Sequence, residues 1–509
     1  MEWFRLVAVH ARLGAERFLG LAGSGPVVHV VRRGVDVYGF GGGVDVGAVE
    51  AVLGGLARFK RVSLCLDRVY LLRFAALSIE LRPLAVPSGC AVLYIVGRVG
   101  GRYRLGVGVA GCGEDVALGL ARALGAVGVE AVGVEEALEG VGAWPEAEPP
   151  TVVEVLRPLE TPALRTPLTT YLARLGGGGG LFVGWLLDHM LRRVGRAELP
   201  RDPGHVLVVG ATGSGKSTTL RRLCTELARA GKRVVVLDWV GEHAEAMRGR
   251  ARIVRPGIDA SIPLRERGES VEMFVDRLAY YIETAWGREL TPLQRRILAT
   301  AASRIDEPSV ERLLAAVSRW LASDRRDYAQ SADALISRLS VLRALSRVFD
   351  PGTPPLRLPE RGVLVLDLSS VEPPWLRKLV AHAALYHVLR EARERGGAAV
   401  AVDEAHNLLD TDARNAVVEA FLEYRKFGVG MLLATSDFTE IPRQLLQNAS
   451  TVIAHRIPSL RQAEALADTL CTTRSERDDW VHTLRTLPTG IAAIVNRASP
   501  YPALVEIEP

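Results

Sequence analysis

The residues that most directly indicate chemistry form a glycine-rich segment, Gly-Ala-Thr-Gly-Ser-Gly-Lys-Ser, at positions 210–217. This spacing is that of a phosphate-binding loop, and the segment lies between an apolar run and a helical pattern, as such loops do. The glycines let successive backbone N–H groups point at phosphate oxygens, and the start of the next helix adds positive potential. Lys216 is expected to neutralise phosphate charge, and the Ser217 hydroxyl to bind Mg²⁺. The predicted cofactors are therefore ATP and Mg²⁺, and the predicted nucleotide-binding residues are Gly210, Ala211, Thr212, Gly213, Ser214, Gly215, Lys216, Ser217 and Thr218.

Two adjacent carboxylates, Asp403 and Glu404, follow the apolar run at 398–402. Ligands of open α/β sheets bind at the carboxyl ends of the strands, so these side chains are expected to face the phosphate loop. Asp403 is predicted to hold the metal through water, and Glu404 to orient and deprotonate an attacking water, which favours hydrolysis. The letters Asp-Glu-Ala-His also match the box of helicases that carry two tandem motor domains. Only 106 residues follow Asp403, which is too few for a second such domain, so one motor per chain is favoured and a neighbouring subunit should complete the site.

The elements that must position these groups are continuous apolar strands alternating with helices, a pattern typical of buried parallel strands. Predicted strands span 206–209, 234–237, 363–366, 398–402, 430–434 and 452–454. Between the second and third of these, residues 269–348 carry leucine, alanine and arginine at helical spacing. The fold class predicted is α/β, with a P-loop ATPase motor domain over residues 201–509 and a helical subdomain inserted at about 269–348.

The first 145 residues have a different pattern. Short β-rich runs at 27–31, 62–66, 91–96 and 103–109 alternate with helical stretches at 114–124 and 134–138. We therefore predict an N-terminal α+β domain over residues 1–145. Prolines at 145, 149 and 150 mark its end, and residues 146–200 are predicted to form a linker. The glycine tract at 176–180 is interpreted as a flexible joint, with chance composition in a chain of 50 glycines as the alternative.

Composition limits the class of protein. The chain has 509 residues, 48% of them hydrophobic, which is enough for about three globular domains. Arginine outnumbers lysine by 58 to 5, and only 4 Asn and 5 Gln occur, which suggests a heat-adapted source. The net charge of +5 does not by itself indicate nucleic acid, and five cysteines without CxxC spacing predict neither a zinc site nor a disulfide framework. With no leader and no apolar run of about 20 residues, the expected location is the cytoplasm, or a membrane reached through a partner.

Taken in order, the motifs resemble the HerA/FtsK superfamily of ring-forming DNA-pumping ATPases, in its HerA-like and type IV secretion branch. Residues 237–243, Leu-Asp-Trp-Val-Gly-Glu-His, are similar to the branch's LDxxGEY element, and residues 425–430 to its RKYGxG segment. His205 before the phosphate loop, the run 433–436 and the turn 487–492 add to the resemblance, which covers about residues 180–509.

The resemblance implies a RecA-like motor that assembles as a hexamer with DNA in its pore. It also implies that Arg425 is an arginine finger reaching the ATP of the adjacent subunit, although a surface role for Arg425 and a substitute role for Lys426 stay open. Arg456 is a second cation expected near the nucleotide. Arg377 is one arginine that could line the pore, although solvated helix faces explain most arginines.

Four positions near the site differ from the family or have an open role. Ser436 stands where the family carries a sensor glutamine, which puts nucleotide sensing in question. His243 replaces a tyrosine, which is expected to be a mild change. Asp238 and Glu242 are predicted either to tune Mg²⁺ or the attacking water, or to form a structural salt bridge.

Together these observations predict an ATP-hydrolysing ring motor that moves DNA and contacts mainly the DNA backbone. The helical content of residues 1–145 favours a conjugation-like transport or uptake motor from an archaeal thermophile. The alternatives are a HerA-type helicase–translocase in DNA end resection, a secretion or pilus ATPase that moves protein, and an ATP-binding scaffold with little hydrolysis. A membrane channel protein is the expected partner for transport, and a nuclease for resection.

Overall fold

The computed structural model describes residues 2–9, 17, 20–21, 26–32, 35–41, 45–53, 57–64, 66, 69–74, 90–123, 126–156, 167, 170, 173, 175–176, 178–187, 191–409, 415–439, 441–471, 476–497 and 499–509. The chain divides into two compact units. One comprises Met1–Leu172, Leu187–Val194 and Asp478–Thr483, and the other comprises Ala173–Leu186, Gly195–Arg477 and Leu484–Pro509.

An antiparallel sheet with short helices forms the first unit. Its elements are β1 (Glu2–Val9), β2 (Val27–Arg32), β3 (Val35–Phe40), α1 (Val46–Val52), β4 (Ala57–Val62), β5 (Val69–Arg73), β6 (Ala91–Val99), β7 (Arg102–Ala110), α2 (Glu114–Ala123), β8 (Gly128–Val132), α3 (Val134–Glu139), β9 (Glu146–Ala147) and α4 (Pro149–Leu156). The strand order is β4-β1-β3-β2-β6-β7-β5-β8, with β9 beside β7. The strand predicted at 62–66 lies earlier, at β4, because β4 pairs with β1 from Val9↔Ala57 to Trp3↔Val62 and the ladder ends there.

From residue 173 onward most of the chain forms a second, larger sheet and its helices, although Leu187–Val194 and Asp478–Thr483 belong to the first unit. The elements are β10 (Leu181–Leu187), β11 (Arg193–Leu199), β12 (Val206–Val209), α5 (Lys216–Arg229), β13 (Arg233–Asp238), α6 (Glu242–Ala246), β14 (Arg252–Val254), α7 (Val271–Trp286), α8 (Pro292–Ala302), α9 (Val310–Ser318), α10 (Arg326–Leu339), β15 (Gly362–Asp367), α11 (Arg377–Glu394), β16 (Ala399–Val402), α12 (Ala416–Glu423), β17 (Gly430–Thr435), α13 (Arg443–Asn448), β18 (Thr451–Ala454), α14 (Leu460–Leu470), α15 (Arg477–Thr486), β19 (Ile491–Asn496) and β20 (Ser499–Ile507).

The larger sheet has a parallel centre. Its order is β11-β10-β20-β19-β18-β12-β17-β16-β13-β15-β14. The strands from β18 to β14 pair in parallel, whereas β19, β20 and β10 add antiparallel pairs at one side. Both β12 and β16 are buried along their whole length, as expected for central strands covered on both faces. The predicted α/β fold is therefore confirmed, and β12, β13 and β16 end at the same edge of the sheet.

Where residues 146–200 are described, they include a helix and two paired strands at positions where the prolines and glycines suggested a linker. At the start, α4 packs on the sheet of the first unit, where Tyr38 donates a hydrogen bond to the Leu156 carbonyl. At the end, β10 and β11 are strands of the larger sheet. The described glycines between them are held by β11, since the Gly180 N–H donates to Glu198 Oε2 and Gly179 accepts from Arg201. Glycine is required there because a side chain on Gly180 would meet the Leu199 carbonyl.

The segment between β14 and β15 supplies four helices, α7 to α10. Their starts follow the local rules: Ser270 and Ser309 cap α7 and α9, and Thr291 forms a capping box before Pro292. Leu313, Leu314 and Val317 give α9 one buried face. No helix in the described part of the chain combines the length and the apolar character needed to span a membrane.

A buried histidine on α11 makes stability depend on pH. His387 is almost fully buried, and its two ring nitrogens donate to Glu266 and to the Leu356 carbonyl, which requires the protonated ring. Burial disfavours that charge, but the hydrogen bond and charge of Glu266 outweigh it and raise the His387 pKa above 6.5. The contribution of protonated His387 to the stability of the fold is fully present below pH 6.5. It is lost as the pH rises through the pKa of His387 in the folded protein.

We therefore expect the melting temperature of the wild type to fall, relative to that of the His387→Asn variant, as pH is raised from about 6 to 9. Thermal denaturation at several pH values checks this. Parallel pH curves for the two proteins would contradict it.

Candidate nucleotide site

The phosphate loop connects β12 to α5. Gly213 and Gly215 have φ angles of 75° and 115°, a region that favours glycine. At Gly210 the constraint is space, because a Cβ there would lie 2.6 Å from the His455 Cβ. Lys216 is buried, and its Nζ donates to the Ala211 carbonyl across the loop at 3.2 Å. The loop therefore wraps around the position of its own lysine, which has no carboxylate within ion-pair distance among the described residues.

The start of α5 presents unused hydrogen-bond donors. Gly215 is the N-cap residue and provides no side chain to satisfy the first amides of the helix. The Ser214 hydroxyl is buried and has no hydrogen-bond partner in the described part of the chain. Uncapped amides, an orphaned hydroxyl and a buried lysine fit the phosphates of a nucleotide.

Asp403 lies directly opposite the loop, at the end of β16. Its Oδ2 accepts hydrogen bonds from Ser217 Oγ at 3.1 Å and from His243 Nε2 at 2.7 Å, and its Oδ1 accepts from the Glu404 N–H. Burial alone raises the pKa of this carboxyl, but these donors lower it below the ordinary value. A charged carboxylate beside a serine hydroxyl suits Mg²⁺, which takes oxygen ligands. Ser217 and Asp403 are the residues that would hold it, and the bound ion would neutralise phosphate charge.

Glu404 has an unusual backbone, with φ and ψ both 48°, in the left-handed region that non-glycine residues rarely adopt. Such strain is stored at functional sites when the surroundings hold it in place. Its side chain is 26% exposed, with Oε2 accepting from the Ser436 hydroxyl at 3.2 Å and lying 3.3 Å from His406 Nδ1. Ser436, the predicted sensor position, thus contacts the predicted base directly.

The phosphate loop contacts the segment that follows β18, which contains Arg456, the second cation expected near the nucleotide. The Ala211 N–H donates to the Arg456 carbonyl at 2.8 Å, and His455 Nε2 lies 2.7 Å from Thr219 Oγ1. Burial and the charge of Lys216 lower the His455 pKa to about 4, so the ring is neutral near pH 7. Arg456 therefore contacts the loop through its backbone carbonyl, and a role for its guanidinium stays a prediction. His455 was missed, and its place just after an apolar strand was the available signal.

Asp238 caps a helix rather than pairing with a cation. It is fully buried and accepts from the N–H groups of Gly241 and Ala244 at 3.0 and 2.8 Å, so it holds the start of α6. Burial raises its pKa, and the two amide donors oppose that effect. Glu242, the first residue of α6, is exposed. His243, which stands where the family pattern has tyrosine, contacts Asp403, the carboxylate predicted to bind the metal.

Arg425 lies at the other edge of the sheet. It is exposed on a 3₁₀ turn, and its guanidinium carbon is within 3.6 Å of the Cβ position at Gly204, before β12 begins. The phosphate loop begins where β12 ends, about 13 Å along the strand. The structure therefore does not bring Arg425 to the phosphate loop of its own chain. Lys426 is placed over the ring of Phe427.

Arg377 is committed to the fold. Its guanidinium donates to the carbonyls of Ser369, Val371 and Trp239, and its side chain is 15% exposed. It ties the loop after β15 to the loop after β13, and a place in a pore stays a prediction for this residue.

Comparison with known proteins agrees with this geometry. Residues 203–388 match the family described as the central domain of helicase HerA. The chain is similar to the DNA double-strand break repair helicase HerA of Sulfurisphaera tokodaii, at 25% identity over 339 residues, covering 60% of this chain and 64% of that protein. The corresponding protein of Sulfolobus acidocaldarius is 21% identical over 331 residues, with the same coverage. The chain thus spans about 64% of the length of these curated relatives.

The fold is also similar to that of a solved structure, VirB4. VirB4 of Thermoanaerobacter pseudethanolicus superposes with a TM-score of 0.53 at 16% identity, covering 66% of this chain and 98% of VirB4. The family match includes the phosphate loop, and the structure places the two carboxylates after β16 at the same edge of the sheet. This chain therefore contains a RecA-like P-loop ATPase domain of the HerA/FtsK type.

Proposed function

We propose that the protein is a ring-forming ATPase that moves DNA. The observation that carries this proposal is the group formed by Lys216, Ser217, Asp403 and Glu404, which combines phosphate binding, metal binding and a base at one sheet edge. The two curated relatives are DNA double-strand break repair helicases, which supports DNA as the substrate.

Hydrolysis in this site follows from the placement of the carboxylates. Asp403 fixes the Ser217 hydroxyl, and Glu404 stands beside it with its side chain partly open to water. A partly exposed glutamate can accept a proton from a water that attacks the terminal phosphate of ATP. Lys216 and the loop amides would stabilise the charge that spreads over the phosphate oxygens in the transition state.

A test of the whole proposal measures ATP turnover with and without duplex DNA, at low and at high salt. We expect DNA to stimulate turnover and the stimulation to fall steeply with salt, because binding to phosphates releases counterions. Absence of both DNA binding and stimulation at low salt would refute a DNA motor and favour the protein-moving or scaffold alternatives.

The relatives favour a role in DNA repair over conjugation-like uptake, since both are DNA double-strand break repair helicases. A repair translocase that loads at broken ends should be stimulated more by linear DNA than by closed circular DNA of equal length. Equal stimulation by the two substrates would remove this preference. A nuclease is the partner that the repair role implies, and a membrane channel the partner that uptake implies.

We further propose that subunits form a hexameric ring in which Arg425 reaches the ATP of the next subunit. An exposed arginine at the edge opposite its own phosphate loop suits a head-to-tail interface, which repeats around a closed ring. Arginine is suited to this role because it stays charged and its fork spans phosphate oxygens.

Mixing Lys216→Ala subunits with Arg425→Ala subunits should restore part of the activity that each lacks alone. In a random equal mixture about a quarter of the interfaces combine an intact lysine with an intact arginine, so about a quarter of wild-type turnover is expected. The matched control is Lys426→Ala mixed with Lys216→Ala. Its turnover should equal that of the wild type mixed with Lys216→Ala. No recovery at any mixing ratio would contradict the trans arrangement.

A further inference from the structure

His243 is a fully buried imidazole to which the motifs assign no chemistry. Its Nε2 donates to Asp403 Oδ2 at 2.7 Å, and its Nδ1 has no hydrogen-bond partner within the described residues. Burying a polar atom without a partner costs free energy, so this position is not one that packing alone would assign to a histidine. Among the described residues, the hydrogen bond to Asp403 is the one that this side chain makes.

The backbone around His243 is built to fix the ring. In the sheet, Leu237 of β13 is in register with Val402 of β16, so the chain after β13 leaves the sheet beside Asp403. The turn passes through Gly241, with φ 91°, and Asp238 anchors the start of α6 by accepting from two of its N–H groups. His243 lies in this anchored turn, which places its ring beside the carboxylate of Asp403.

Asp403 Oδ2 is shared by two donors, Ser217 and His243. The serine hydroxyl is the predicted metal ligand. The imidazole donates a hydrogen bond to the same oxygen and thereby fixes the rotation of the carboxylate. Groups that orient a metal-binding carboxylate in this way commonly change metal affinity by about 10- to 100-fold when they are removed.

We propose that His243 is a positioning residue for Asp403 and that its hydrogen bond sets how tightly the nucleotide site holds Mg²⁺. This inference rests on the proposed function, because it concerns the same site. It assigns the role to a side chain that differs from the tyrosine of the family pattern.

Three variants separate the hydrogen bond from the packing. His243→Phe keeps a ring of similar size but removes the donor. His243→Gln carries an amide N–H near the position of Nε2, whereas the shorter His243→Asn does not reach it. His387→Asn changes another buried histidine of the same unit, far along the chain from the phosphate loop, and is the matched control for lost stability.

The experiment titrates Mg²⁺ against the binding of a fluorescent, non-hydrolysable ATP analogue, so that its readout does not depend on turnover. We expect His243→Phe and His243→Asn to need about 10-fold more Mg²⁺ for half-maximal binding, while the affinity measured in EDTA stays the same. His243→Gln should lie within about threefold of the wild type, and His387→Asn should match the wild type.

An unchanged Mg²⁺ requirement in folded His243→Phe and His243→Asn would overturn the proposal, even if both melt at lower temperature. An equal loss of affinity for the ATP analogue in EDTA and in Mg²⁺ would also overturn the proposal, since it would indicate a general distortion of the phosphate loop. If the wild type itself shows no Mg²⁺-dependent nucleotide binding, the proposed function fails rather than the role of His243.

Discussion

Replacement of Lys216 by alanine should lower ATP turnover by about 100- to 1,000-fold and weaken nucleotide binding, because it removes the one cation that the phosphate loop encloses. The lysine is buried and donates to the Ala211 carbonyl across the loop, and no described carboxylate pairs with it. Its charge is therefore available to phosphate. Steady-state turnover and nucleotide titration measure the two effects.

Lys232→Ala is the matched control, because Lys232 is an exposed lysine just beyond the other end of α5. Loss of the Lys216 charge should also raise the pKa of His455, which that charge now helps to lower. An NMR titration of His455 thus shows that the variant is folded and that the expected charge has been removed. Full turnover in Lys216→Ala would mean that the nucleotide binds elsewhere.

Replacement of Glu404 by glutamine should reduce turnover by about 100-fold or more while leaving nucleotide binding near the wild-type level. Glutamine has the size of glutamate and can accept the hydrogen bond from Ser436, but it cannot take a proton from water. Separate measurements of turnover and of analogue affinity distinguish the two steps. The folded stability should change little, since the strained backbone at this residue is kept.

Glu242→Gln tests the rival carboxylate on the loop after β13 and should retain most of the turnover, since its side chain is exposed at the start of α6. If Glu404→Gln hydrolyses ATP at the wild-type rate and Glu242→Gln does not, the base has been assigned to the wrong residue. If the wild type hydrolyses ATP slowly and both variants have the same turnover as the wild type, the result favours the alternative of an ATP-binding scaffold.

The central strands were predictable because each is a short apolar run buried on both faces. The predicted run at 206–209 coincides with β12, and the run at 430–434 lies within β17. The antiparallel side of the sheet was not predictable in this way. Strands β10 and β11 follow a glycine tract, and their sequences became strands only by pairing at the edge of the larger sheet. The glycines in this segment suggested a linker. Local composition could not show that the residues after them pair with a strand that is distant in sequence.

The sequence alone determined the phosphate loop, its lysine and serine, and the two carboxylates, since each of these depends on a short segment whose conformation is set by glycines or by strand alternation. Only the tertiary structure decided which side chains meet across the sheet. His243 and Asp403 are 160 positions apart and touch because β13 and β16 are parallel neighbours that end together. Arg425 lies away from its own loop for the related reason that it precedes β17, whereas the loop follows β12, so strand direction separates them. The spacing of residues along the chain does not show which strands are adjacent in the sheet or in which direction they run. Both are set by hydrogen bonds between segments that are distant in sequence.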